Sequence, residues 1–203
     1  MSSNEIREPI QKRSIEKKEK IIKAGFELIC EEGYHNTDTA KIAKKAGVST
    51  GIVYQYFKDK RDIFMAGLEK YADEIFYPLP NISDIKFDKN NISSFMKKEI
   101  KKYINNHKLS AIAHEEITSM IHSDKDVAYY FYKREIEMTH KIANTLVQNG
   151  FVLPNINERV HIVLGLIDNL CHEVVYHKHK EINYDIMTNI VVENIVNILT
   201  DKD

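Results

Sequence analysis

The sequence predicts an all-α protein of about nine helices. Only seven glycines and four prolines punctuate its 203 residues. Apolar side chains recur at three- and four-residue steps nearly everywhere, and no strand alternation is sustained. With 43% hydrophobic composition, a chain of this length buries a substantial core without staples. The first helix is expected over 14–32, with Ile15, Ile22, Phe26, Ile29 and Cys30 on one stripe and Gly33 as its stop. Two short helices follow, over about 38–45 and 50–57. A longer one starts after Asp59, a capping residue, carries Ile63, Phe64, Leu68, Tyr71 and Ile75, and ends before Pro78 and Pro80. The stretch PLPNISDIKFDKNN, residues 78–91, reads as a loop and sets a domain boundary. Five more helices are expected over about 92–106, 109–122, 124–149, 156–179 and 183–200. Asn91, Ser123, Asn155 and Asn183 serve as cap candidates, and Gly150 closes the third of the five.

The formal net charge of −1 hides an asymmetry. Residues 1–61 hold 13 Lys/Arg against 9 Asp/Glu, while the remainder holds 16 against 21. One end of the chain is thus suited to phosphate and the other is not. Cys30 and Cys171 lie far apart inside apolar patterns, no apolar run nears the ~20 residues that span a bilayer, and the first residues lack the apolar segment of an export signal. The expectation is a cytoplasmic protein that meets no membrane. Eight of nine histidines follow residue 106, and His161, Asp168 and His172 share one helix face. No HExxH or CxxC spacing, activated nucleophile or phosphate loop accompanies them, so neither a metal, a cofactor nor enzymatic activity is expected.

Between Thr39 and Phe57 the spacing is that of a helix-turn-helix. Ile42 and Ala43 point inward from the first short helix, Gly47 permits the turn, Val48 plugs it and Ser49 caps the second helix. In such a unit the second helix enters the major groove, here presenting Thr50, Gly51 and Ile52. Tyr54 and Tyr56 lay their rings along apolar surface and carry hydroxyls to phosphates, with Lys60 adding charge on the flank. The segment GYHNTDTAKIAKKAGVSTGIVYQYFKDKRDIF, residues 33–64, resembles the N-terminal signature of tetracycline-repressor (TetR) family transcription regulators, a likeness that covers about residues 14–76. It implies DNA contact at Thr39, Thr50, Gly51, Tyr54, Tyr56 and Lys60, with Ser49 at the cap in the same DNA-facing set. Ala40 stands where some members carry an arginine, which implies fewer direct base contacts here. Lys12, Arg13, Lys17 and Lys18 read equally as a phosphate-reaching arm or a solvated helix face.

Residues 1–60 are therefore expected to be a helix-turn-helix DNA-binding domain, followed by a connecting helix over 60–77 and by a second domain over 78–203. The resemblance implies that this second domain encloses an effector pocket and dimerises through its last two helices. Those helices carry more apolar residues than one core-facing stripe requires, Ile167, Val191 and Ile195 among them. The candidate pocket set is Phe95, Met96, Tyr103, Met120, Tyr130, Met138 and His172, within a wider cluster that includes Tyr129, Phe131 and Tyr132. The reading that follows is a homodimeric repressor released from double-stranded operator DNA by a small apolar or amphipathic effector. A DNA-binding scaffold of the same fold that senses no small molecule is the alternative.

Overall fold

The computed structural model describes residues 12–75, 91–106 and 111–200. Among them are nine α-helices and no strand: α1 (Lys12–Glu32), α2 (Thr39–Ala46), α3 (Thr50–Tyr56), α4 (Lys60–Ile75), α5 (Ile92–Asn106), α6 (Ala111–Ser123), α7 (Lys125–Gln148), α8 (Ile156–Val175) and α9 (Tyr184–Thr200). The 78–90 part of the expected loop lies outside the described residues, as do the side chains of Tyr71 and Ile75.

Two compact units divide the chain. Residues 1–77 join 109–128, and residues 78–108 join 129–203. The stretch around α6, expected within the second domain, thus groups with the N-terminal helices. In this first unit α1 packs against α2, α4 and α6. Ile21, Ile22, Leu28, Ile42, Ala43, Val53, Tyr56, Phe57 and Ile63 close one core cluster, with Val48 and Ile52 half-buried against it. The α1–α4 crossing is tight because two glycines face it. A Cβ on Gly25 would collide with Ile63, and one on Gly67 would lie 2.6 Å from Phe26 Cδ2. The Phe26 and Phe64 rings stack there at 6.2 Å.

The second unit is built around Ile92, Met96, Ile100, Ala143, Leu146, Phe151, Val160, Val163, Leu170, Val192, Ile195 and Leu199. Helix α9 packs against both α5 and α8. Arg159 ties the two ends of the α8–α9 pair, donating from Nη1 to the Ile198 carbonyl at 2.7 Å.

Several helix ends differ from expectation. The cap of α7 is Asp124 rather than Ser123: its Oδ1 accepts from the amides of Asp126 and Val127, while the Ser123 hydroxyl turns back to Ser119. Asn155 stands at the head of α8 in the left-handed region (φ 52°) and makes no side-chain cap bond. Asn183 does cap α9, accepting from Asp185 and Ile186. Helix α8 stops at Val175, four residues early. Beyond the capping Tyr176, the run HKHKE offers no apolar side chain to continue the stripe, and the His179 amide instead donates to the Tyr184 hydroxyl at 2.7 Å.

Candidate nucleic-acid interface

The turn between α2 and α3 is fixed by short-range chemistry. Asp38 caps α2 by accepting from the Lys41 amide at 2.8 Å. Gly47 closes it at φ 69°, a left-handed conformation that a side chain would strain. The next amide, Val48, returns to the Ala43 carbonyl at 3.0 Å. Ser49 holds the cap position of α3 in extended conformation, yet its hydroxyl makes no cap bond; its carbonyl accepts from Ile52 and Val53.

Helical periodicity then sorts α3. Val53 and Tyr56 are buried and Ile52 half-buried, so the opposite face presents Thr50, Gly51, Tyr54 and Gln55. Tyr54 is 45% exposed, and its hydroxyl meets Thr39 Oγ1 of α2 at 3.0 Å. Tyr56 lies on the inner face, and its hydroxyl meets Ser14 Oγ of α1 at 2.6 Å. Each tyrosine is thus braced by a hydroxyl from a different neighbouring helix. One hydrogen of each hydroxyl pair is left over for a further acceptor. The bond at Ser14 sets the start of α1 beside the recognition helix, where Arg13 and Lys17 are exposed and Lys18 lies 5.9 Å from the Phe57 ring centre.

Lys60 is held differently from the expected free flank charge. Its Nζ donates to the carbonyls of Tyr34 (2.7 Å) and Thr37 (2.9 Å) and sits 4.3 Å from the centre of the Tyr34 ring. Burial, with the Asp59 charge adding to it, pushes the Tyr34 phenol above its ordinary value. Arg61 is likewise engaged, donating to Asp124 from Nε and Nη2 at 2.5 and 2.7 Å and to Asp126 at 2.6 Å. Glu116 of α6 accepts from the Tyr34 amide at 3.0 Å and occupies the space in front of Gly33. Lys41 pairs with Glu32, and Lys45 with Glu31 and Glu27. Lys12, Arg13, Lys17, Lys44 and Lys58 make no such pair among the described residues.

The candidate pocket residues are dispersed. Met96 is part of the second unit's core, with Phe95 half-buried against it, whereas Met120 is buried in the first unit. Tyr103, Tyr130 and Met138 are half-buried. His172 is half-buried, 3.7 Å from Asp168 and edge-on to Tyr176. His161 instead faces Thr139 and Glu135. Among the described residues no three His, Cys, Asp or Glu side chains gather as a metal site. Burial pushes the thiols of Cys30 and Cys171 up to about 11 and 12, which keeps them protonated near neutral pH. Gln55 was missed by sequence reasoning, although its i, i+4 spacing from Gly51 places it on the same face.

A short recognition helix held by a left-handed turn, its outer face open and its flanks basic, defines a helix-turn-helix DNA-binding protein. Residues 21–66 match the bacterial regulatory proteins of the tetR family. The fatty acid metabolism regulator protein of Bacillus subtilis (strain 168) is 27% identical over 187 residues, which span 90% of this chain and 95% of that one. A solved structure described as a TetR-family transcriptional regulator, from Mesorhizobium loti MAFF303099, superimposes with a TM-score of 0.71 at 18% identity, over 93% of this chain and 98% of that one. The fatty acid degradation regulator FadR of Bacillus halodurans does so with a TM-score of 0.59 at 20% identity, over 92% and 97%. The chain is thus similar to tetR-family regulatory proteins, through residues 21–66 in sequence and through most of its length in fold. No helix of the described residues is long and apolar enough to cross a membrane.

Proposed function

We propose that the chain is a homodimeric repressor whose first unit holds operator DNA and whose second unit releases it on binding a small apolar or amphipathic effector. The observation that carries the DNA half is the open face of α3, on which Tyr54 is braced by Thr39, with Tyr56 braced by Ser14 on the inner face behind it. Thr50, Gly51 and Tyr54 meet the groove, and Ser49, Thr39 and Tyr56 direct hydroxyl groups to phosphates. Lys60 serves this interface by fixing the Tyr34–Thr37 loop.

Dimerisation is supported by the outer face of α8 and α9. Ile162, Ile186 and Ile190 are 54%, 57% and 53% exposed, and Gly165 sits mid-helix with open space around its missing Cβ. A helix-interior glycine costs about 1 kcal/mol relative to alanine. Close approach of a partner helix is a reason to keep it there. Two recognition helices spaced by such a dimer would meet half-sites ~34 Å apart or a multiple of that.

Two relatives that regulate fatty acid metabolism or degradation by name support a fatty acid derivative as the effector class. Operator binding titrated with long-chain fatty acids and their thioesters tests this reading. The expected result is a ~5- to 150-fold loss of operator affinity, mirrored by the same loss of effector affinity when operator is present. Effectors that bind equally with and without operator would sink the induction mechanism.

A further inference from the structure

We propose that Gln55 is the principal base-selecting side chain of the recognition helix and that it selects adenine. The inference rests on the DNA-binding reading above and goes beyond it to sequence choice. Of the four outward residues of α3, Gly51 has no side chain, Thr50 is half-buried and short, and the Tyr54 hydroxyl is engaged by Thr39. On α2, Ala40 carries no polar group and the exposed Lys44 is a point charge suited to a phosphate. Gln55 is exposed, and its amide makes no hydrogen bond among the described residues. It alone on this face offers a donor and an acceptor side by side, the pattern complementary to the N6–H and N7 edge of adenine in the major groove.

The position suits the task. Side chains on a helix lean toward its N-terminus and cover the turn before them, so Gln55 stands on the face that leads back to Gly51, four residues earlier. A Cβ at Gly51 would find only Ser49 Oγ, at 3.9 Å. No protein atom crowds that space, and a base edge can approach the helix backbone there while the amide reaches it. Glycine and glutamine at this spacing form one reading element, bounded by the Tyr54 ring on the same face.

Selection of bound duplexes from a random library tests this with the full chain and two variants, Gln55→Ala and Gln55→Glu. Both change an exposed side chain, and unchanged far-ultraviolet circular dichroism verifies their fold. The wild type should yield a two-fold motif with adenine preferred ~5- to 150-fold at one position of each half-site. Gln55→Ala should lose preference there and keep it elsewhere. Gln55→Glu should move it toward cytosine, whose N4 amine suits an acceptor-only carboxylate. The same motif from all three proteins, or a uniform loss of affinity with preferences intact, overturns the assignment to Gln55 alone. A wild type that yields no motif overturns it together with the DNA-binding reading.

Discussion

The Arg61–Asp124 pair joins the start of α4 to the α6–α7 corner, and breaking it should loosen the DNA-binding unit measurably. Asp124 is 17% exposed and accepts two guanidinium hydrogens, while its Oδ1 also caps α7 through the Asp126 and Val127 amides. The Arg61 guanidinium first, and then those amides, hold the carboxyl at about 2 rather than 3.8, although burial pushes the other way. That difference corresponds to about 2.5 kcal/mol at 1.36 kcal/mol per pH unit. Because Arg61 is 34% exposed, solvent screening brings the pair's share to about 1–2 kcal/mol. A double-mutant cycle of Arg61→Gln and Asp124→Asn, read by urea unfolding, isolates that share. The folded-state value lies below the unfolded one, so the stability is complete above about pH 5 and is lost as pH falls toward 2. At pH 3 the coupling should be about half its value at pH 7. A coupling below about 0.3 kcal/mol at pH 7, or one equally large at both pH values, would refute the reasoning.

Three further outcomes are expected. Lys60→Met should lower the stability of the free protein by about 1–3 kcal/mol in urea unfolding, because two carbonyls lose a charged donor. Unchanged stability with a salt slope of DNA binding flatter by about one unit would place the ammonium on a phosphate instead. Gly67→Ala should destabilise by about 1–3 kcal/mol, reversing the gain that alanine gives at an open helix position, since its Cβ would press on Phe26. Thermal unfolding reads the sign. Ile186→Glu and Ile190→Glu should produce monomers in sedimentation with unchanged circular dichroism; variants that stay dimeric would move the interface elsewhere.

The helices themselves were legible because their signals are local. Gly33 and Gly47 stop α1 and α2 with φ of 90° and 69°, and Asp59 caps α4 by accepting from the Asp62 amide at 3.0 Å. Legibility thinned where one residue type serves several roles. Tyr54 and Tyr56 look equivalent in sequence, but two positions along a helix turn the second by roughly 200°, and it is buried where the first is exposed. Excess apolar width likewise did not separate the inside of a unit from its outside. Ile195 is wholly buried, whereas Ile190 on the same helix is exposed.

Legibility ended with the grouping of α6. No boundary signal separates Ala111–Ser123 from the helices on either side, so the sequence assigned it to the second domain with its neighbours. What binds it to the first unit is side-chain chemistry across long separations. Glu116 reaches the Tyr34 amide 82 residues away, and Asp124, the residue after α6, reaches Arg61 at a separation of 63. Such pairs leave no periodicity, because either acid alone reads as one more solvated charge on a helix face. The trace they do leave is indirect. Glu116 Oε1 would lie 2.8 Å from a Cβ on Gly33, so the glycine that stops α1 also leaves room for a side chain the local sequence gives no hint of. A glycine explained fully by its own turn conceals any second reason for being there, and here the second reason decides which unit α6 joins.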